Sequence, residues 1–153
     1  MANTYSQVYL QFIFAVKGRQ NLIPQMHNEE LHKYITGIVQ NRKQKLIAIN
    51  NVADHLHMLV GFDTTMSMAD FMEEVKSISS KFINEKGWIK GRFEWQRGYG
   101  VFSYSKSQLD NVVRYIMNQQ EHHRKSTFKE EYLGFLKKFE VEYNEKYLFD
   151  WIE

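Results

Sequence analysis

From Tyr5 to Val16 hydrophobic and polar positions alternate. Val8, Leu10, Phe12, Phe14 and Val16 share one side of an extended chain, and Tyr5, Gln7, Tyr9, Gln11 and Ile13 share the other. This period of two predicts a long first strand with one apolar and one amphipathic face. Lys17 to Asn21 reads as a polar connection. Pro24 then stands where a helix can begin, and Leu31, Tyr34, Ile35 and Ile38 recur at helical spacing until the pattern fades between Gln40 and Lys45. Leu46 to Asn50 gives a second strand, Asn51 to Asp54 a turn, and His55 to Phe62 a third strand, together a hairpin.

Ser67 with Asp70 three residues on announces a second helix, filled by Phe71, Met72, Val75, Ile78, Phe82 and Ile83 and closed by Gly87. The aromatic and glycine-containing run FEWQRGYGVFSYS, Phe93 to Ser105, suits a bent strand or hairpin. Ser107 and Asp110 cap a third helix through about His123, and Thr127 with Glu130 opens a fourth through about Phe139. The tail Asn144 to Glu153 is aromatic enough to dock on the body or on another subunit. The order β, α, β, β, α, β predicts an α+β, ferredoxin-like (split βαβ) sandwich over an antiparallel sheet, with helices added after it. Residues 1–153 read as one domain, with 126–153 as a C-terminal helix and docking tail.

Composition narrows the chemistry. The chain has 153 residues, 43% hydrophobic and 15% aromatic, enough for one well-filled core. It has no cysteine, which excludes disulfides, redox dithiols and thiolate metal sites; imidazole, carboxylate, amide and water remain as ligands. No long apolar run or leader pattern stands out, so a cytoplasmic protein without a membrane span is expected. The net charge of +2 is unevenly spread: residues 1–125 hold 16 Lys and Arg against 11 Asp and Glu, and residues 126–153 hold 4 against 7. The body is mildly basic, which favours phosphate binding.

Two places carry candidate chemistry. In DHLHMLVGF, Asp54 to Phe62, the strand period puts His55, His57 and Leu59 on one face and Leu56, Met58 and Val60 on the other. The two imidazoles stand roughly 6 to 7 Å apart at their backbones, close enough to share one metal ion; a structural pair of histidines is the alternative. On the third predicted helix Leu109, Val112, Val113, Ile116 and Met117 form the core stripe. At about 100° per residue, Tyr115 and Gln119 fall together on its flank, with His122 on the next turn. This polar column can reach into a cleft that the strand histidines complete, or Tyr115 can be a boundary residue with its hydroxyl in water.

The strand start in ADHLHMLVGF, the run FEWQRGYGVFSYS and the helix VVRYIMNQQEHH, in this order, resemble the single-tyrosine HUH transposases of the insertion-sequence 200/605 group (IS200-like transposases). The resemblance extends from VYLQFIFAVKGR to about Lys138. It implies that His55 and His57 bind a divalent metal ion, Mg or Mn, that Tyr115 is the nucleophile on single-stranded DNA, and that Gln119 one turn later supplies a third ligand. His122 stays open as an alternative ligand. One departure is Ala53, where relatives often have proline. Attack by Tyr115 would give a 5′-phosphotyrosine and a free 3′-hydroxyl by metal-assisted transesterification, conserving bond energy so that strand transfer needs no ATP; no phosphate-cradling glycine loop is present. Implied partners are single-stranded DNA, such as the hairpin ends of a mobile element, and a second copy of the chain. In such a homodimer the tyrosine helix of one subunit often serves the histidines of the other, so cis or trans placement of Tyr115 is open.

The alternative from another class is a non-catalytic ferredoxin-like module, or a domesticated relative, that binds single-stranded nucleic acid. Lys17, Arg19, Arg42, Lys43 and Arg97 are candidates for phosphate contact in either case, with Lys45 and Arg92 beside them. Trp88, Trp95, Tyr99 and Phe102 could stack bases or simply pack. Asp54 could hold a histidine tautomer from behind or merely make the turn.

Overall fold

A computed structural model describes residues 3–18 and 22–151. Four strands, β1 (Tyr9–Ala15), β2 (Lys45–Val52), β3 (His55–Gly61) and β4 (Gly100–Tyr104), form one sheet in the order β2-β3-β1-β4. Every pairing is antiparallel. Helix α1 (Asn28–Asn41) joins β1 to β2, and α2 (Met68–Lys86) joins β3 to β4. This is the split βαβ, ferredoxin-like topology that the element order predicts.

The period of two in β1 and β3 divides the core. Leu10, Phe12 and Phe14 of β1, with Leu56, Met58 and Val60 of β3, are buried in one cluster with Leu31 and Ile35 of α1 and Phe71, Met72 and Val75 of α2. The other face carries Gln11, Ile13 and Ala15 opposite Leu59, His57 and His55. Covering it are α3 (Leu109–Met117), α4 (Gln119–Lys125) and α5 (Phe128–Lys138), all C-terminal to β4. The histidines therefore lie between a β-sheet and a helical layer, buried and away from bulk water.

Helix ends follow the chemistry of their residues. Ser67 accepts the Asp70 amide at 3.0 Å at the start of α2, and Gly87 ends it at φ 66°, a left-handed position. Thr127 and Glu130 make a reciprocal capping box on α5. Other predicted boundaries move. Pro24 precedes a 3-10 turn, Gln25–His27, and the α-helix begins only at Asn28. The start of α3 is organised by Ser105 and Gln108 rather than by Ser107 and Asp110. Ser105 keeps extended dihedrals at the edge of a 3-10 turn, and its amide donates to Gln108 Oε1 at 2.8 Å. Strand β1 begins at Tyr9 instead of Tyr5, and the Phe93 to Ser105 run pairs regularly only from Gly100, after an isolated bridge between Val16 and Trp95.

Two differences shape the site. Strand β2 continues through Asn50 and Asn51, predicted as turn or strand end, so the connection shrinks to Ala53 and Asp54. The asparagines stay in the ladder because their amides find partners inside. Asn51 Nδ2 donates to Asn28 Oδ1 at 3.0 Å and its Oδ1 lies 2.6 Å from His32 Nε2. Asn50 Nδ2 donates to the Ile116 and Met117 carbonyls, at 2.9 and 3.2 Å. Those carbonyls are released because the single helix expected from Ser107 to His123 breaks at Asn118, φ −99° and ψ 20°, into α3 and α4. Gln120 completes the junction by exchanging hydrogen bonds with the Asn50 side chain at 3.0 Å.

At the C-terminus, Phe149 is buried and Trp151 packs with it on Phe128 and Tyr132 of α5. The Gln96 side chain both donates to and accepts from the Asp150 backbone at 2.6 Å. A Cβ on Gly100 would lie 2.6 Å from Tyr132 Oη, so the missing side chain lets α5 sit down on the sheet edge.

Asn50→Ala tests the junction. It takes the side-chain donor from the Ile116 and Met117 carbonyls and the acceptor from the Asn51 amide, while Gln120 Nε2 keeps the Asn51 carbonyl, and is expected to lower unfolding free energy by about 1–3 kcal/mol. Urea denaturation measures this, and an unchanged midpoint would mean the break at Asn118 does not depend on Asn50.

Candidate active site

His55 and His57 are both almost fully buried on the helix-covered face of β3. Each ring is held from behind: His55 Nδ1 lies 2.7 Å from Asp54 Oδ1, and His57 Nδ1 lies 2.6 Å from Gln11 Oε1. Gln11 is oriented in turn by its Nε2, which donates to Tyr104 Oη at 2.8 Å. Both atoms facing Nδ1 are acceptors, so Nδ1 carries the proton in each neutral ring and Nε2 keeps its lone pair. The two Nε2 atoms point the same way, with ring centroids 5.1 Å apart.

What they point at is Glu131, on the first turn of α5. Its Oε1 is 3.1 Å from His55 Nε2 and 3.0 Å from His57 Nε2. Its Oε2 accepts the Tyr115 hydroxyl, and Gln119 Nε2 donates to it at 3.2 Å. Gln119 Oε1 also sits 3.2 Å from His55 Nε2. The structure thus brings His55, His57, Tyr115 and Gln119 together in one chain, with Tyr115 beside its own histidines. His122 is elsewhere: its ring stacks on Tyr115 at 4.5 Å between centroids. His123 approaches the other side of His55, near Asp54.

Sequence reasoning missed Glu131. In the pair Glu130-Glu131 both acids sit at a helix start, where a negative charge favours the helix dipole. Only Glu130 caps; Glu131 is turned inward. The signal available is its place between Phe128 and Phe135, at spacings of three and four, which puts a carboxylate in the apolar row of α5.

The electrostatics of the cluster follow from burial and proximity. Burial disfavours charge on His55, but hydrogen bonds to Asp54 and Glu131 outweigh it and raise its pKa to about 8. For His57 burial wins and its pKa falls below the ordinary value. Burial also works against ionisation of Glu131, yet contacts with His55 and His57 keep its carboxyl well below the usual range. Tyr115 is pushed above the ordinary phenol, first by burial and then by the Glu131 charge. In this arrangement its hydroxyl stays protonated at neutral pH.

The donor set suits a cation. Two imidazole lone pairs, an amide oxygen and a carboxylate oxygen converge, and His55, His57 and Glu131 can each offer one atom within 4.8 Å of the others. Only a proton or a positive ion makes such a cluster favourable. A cleft of about 510 Å³ opens beside it, lined by Gln11, Tyr115, His122, Glu131 and Phe135, and gives solvent a route to Tyr115.

The basic candidates do not gather here. Arg42 is engaged with Glu74, Nη2 at 2.8 Å and Nε at 3.1 Å, tying the end of α1 to α2. Lys43 is exposed at a positive φ of 59° after α1. Lys17, 3.5 Å from Glu94, lines a separate groove with Arg97, Arg92 and Lys146. Arg19 lies outside the described residues. Among the aromatic candidates, Trp95 is buried against Phe14 and Phe93, Phe102 lies under Phe135 and Phe139, and Trp88 stacks on His27.

This fold, with a histidine pair facing a helix tyrosine, defines a class, and sequence comparison agrees. The model of the family described as "Transposase IS200 like" matches residues 4–119, and the chain belongs to that family of DNA transposases. The transposases for insertion sequence element IS200 of Salmonella typhimurium and Salmonella typhi are each 25% identical to it over 126 residues, covering 79% of this chain and 82% of theirs. Among solved structures, a putative transposase from Deinococcus radiodurans superposes with a TM-score of 0.60 at 21% identity, over 76% of this chain and 94% of that one. A REP-associated tyrosine transposase bound to a REP hairpin gives 0.59 at 16% identity, over 79% of this chain and 72% of that one. Both share the fold. Among the described residues no helix is long and apolar enough to cross a membrane.

The hydrogen bonds behind the imidazoles dictate their tautomers. In the metal-free protein at about pH 9, one unit above the His55 pKa, both rings are expected as the Nδ1–H form. Nitrogen-15 chemical shifts of the two rings measure this; an Nε2–H form of either would contradict the convergence of lone pairs.

Proposed function

We propose that the protein cleaves and rejoins single-stranded DNA, with Tyr115 as nucleophile and a divalent ion, Mg or Mn, held by His55, His57 and Gln119. The observation that carries this reading is the contact of the Tyr115 hydroxyl with the same carboxylate that faces both Nε2 atoms. Nucleophile and donor set are within one side chain of each other.

Residues of the chain divide the work. His55 and His57 present Nε2, with Asp54 and Gln11 fixing their tautomers, so that both lone pairs are ready without rearrangement. Gln119 is placed by the break at Asn118, which turns the start of α4 toward β3. A divalent ion held by these residues would polarise the phosphate and supply positive charge that favours the phenolate of Tyr115. Tyr115 Oη gives up its proton and attacks phosphorus, the bond from phosphorus to the 3′ oxygen breaks, and that oxygen takes up a proton and leaves as a hydroxyl while the 5′ phosphate stays on the tyrosine. Attack by another 3′-hydroxyl reverses the step and transfers the strand. His122 stacks on the Tyr115 ring and restricts its rotation.

The substrate is single-stranded DNA at the hairpin ends of a mobile element, in the cytoplasm, and the protein acts as a homodimer. Support for a hairpin comes from the REP-associated tyrosine transposase that shares this fold and is bound to a REP hairpin. With Tyr115 beside the histidines of its own chain, cleavage is performed in cis.

Two experiments test this. Wild-type protein with Mn and a single-stranded hairpin carrying its true flank is expected to form a denaturation-resistant adduct that maps to Tyr115. Tyr115→Phe keeps DNA affinity and forms none. An adduct on the phenylalanine variant would move the nucleophile to another tyrosine such as Tyr104, and none with wild type would favour a binding module without chemistry. For the cis arrangement, mixed dimers of His57→Ala and Tyr115→Phe subunits should recover no cleavage. Recovery in verified heterodimers would show that subunits exchange their tyrosine helices.

A further inference from the structure

The family match ends at residue 119, and Glu131 lies beyond it on α5. We propose that Glu131 bridges the two halves of the site, ligating the divalent ion through Oε1 and holding the Tyr115 hydroxyl to it through Oε2. This rests on the metal reading given above and adds to it a ligand and a tether.

The geometry separates the two carboxylate oxygens by task. Oε1 is nearly equidistant from the two Nε2 atoms, 3.1 and 3.0 Å, while Oε2 takes the Tyr115 hydroxyl and the Gln119 amide. With its Nε2 donating to Oε2, Gln119 has its Oε1 left to face the histidines. Two nitrogens and two oxygens then converge. Magnesium and manganese favour oxygen, so a carboxylate suits these ions better than two imidazoles and a neutral amide alone, and it also compensates part of their charge.

Glu131 is not a surface acid that has fallen inward. Its side chain is 8% exposed, and α5 is fixed on both sides of it. Phe128 stacks on His55 with centroids 4.0 Å apart and planes 14° apart. Phe135 meets the Tyr115 ring edge-on at 5.8 Å. Tyr132 occupies the space left by Gly100, and Phe149 and Trp151 pack against Phe128 and Tyr132. Aromatic packing on three sides holds one carboxylate at the centre of the cluster.

The competing role is a plug: a carboxylate paired with a protonated His55 that occupies the ion's position. The two roles have opposite effects on metal binding, since removing a ligand weakens it and removing a plug tightens it. The test uses the full chain as wild type, Glu131→Gln, Glu131→Ala and His57→Ala, with Mn binding read by calorimetry and electron paramagnetic resonance and folding by circular dichroism. Both Glu131 variants are expected to bind Mn roughly tenfold or more weakly than wild type. A second readout places 3-fluorotyrosine at position 115 and follows its fluorine resonance as Mg is added. The resonance should shift in the wild-type chain and shift less in Glu131→Gln. Equal or tighter Mn binding by folded Glu131 variants would overturn the bridge, as would a fluorine signal in the wild-type chain unmoved by saturating Mg. Should wild type and His57→Ala both fail to bind Mn, the metal reading itself falls. Wild-type binding that is lost in His57→Ala but kept in Glu131→Gln removes only the bridge.

Discussion

Lone pairs aimed at one another inside a protein repel unless positive charge stands between them. Here Nε2 of His55, Nε2 of His57 and oxygens of Gln119 and Glu131 converge in a buried space. Much of the second sheet face is arranged to keep them there. Asp54 and Gln11 stop the rings from turning away, the break at Asn118 aims Gln119 inward, and aromatic packing under α5 presents Glu131. Without added metal the raised pKa of His55, about 8, lets a proton supply part of the missing charge. That proton does nothing for Tyr115, which burial and then the adjacent carboxylate keep in its hydroxyl form.

The ferredoxin-like scaffold explains why one strand can carry both a core and a site. In β3 the period of two sends Leu56, Met58 and Val60 into the cluster beneath α1 and α2 and leaves the histidines and Leu59 for the other face. In a sheet covered on one side these imidazoles would meet water, and their affinity for a shared proton or ion would be weakened by solvent screening. The helices after β4 close that face and bring the tyrosine with them. Fold and site are therefore joined by the C-terminal layer, part of which lies beyond the residues that match the family.

How much of this the sequence discloses depends on the range of the interaction. The histidine pair is legible because alternation along a strand is local, and Tyr115 because its place beside the apolar stripe lies within α3; Gln119 reaches the same cluster from α4, across a break that its one-turn spacing does not foretell. The topology follows from the order of elements and the short connections between them. Asn50 and Asn51 mislead: they are turn formers by habit, and only α3, α4 and His32 supply the distant partners that keep them in a strand. The same contacts conceal the break at Asn118, since apolar periodicity runs smoothly through Ile116 and Met117. Glu131 looks like a second first-turn acid, and its inward role depends on which way α5 faces once Tyr132 meets Gly100. Charge alone says least. Arg42 looks free in sequence and is held by Glu74 in the fold.

Crystals of the protein grown with Mn and measured at the manganese absorption edge locate the ion directly. A single strong anomalous peak is expected between His55 Nε2 and His57 Nε2, in contact with oxygens of Gln119 and Glu131 and beside the Tyr115 hydroxyl. A peak elsewhere, or no peak at saturating Mn with the side chains still in place, would contradict a metal-assisted site built from these residues.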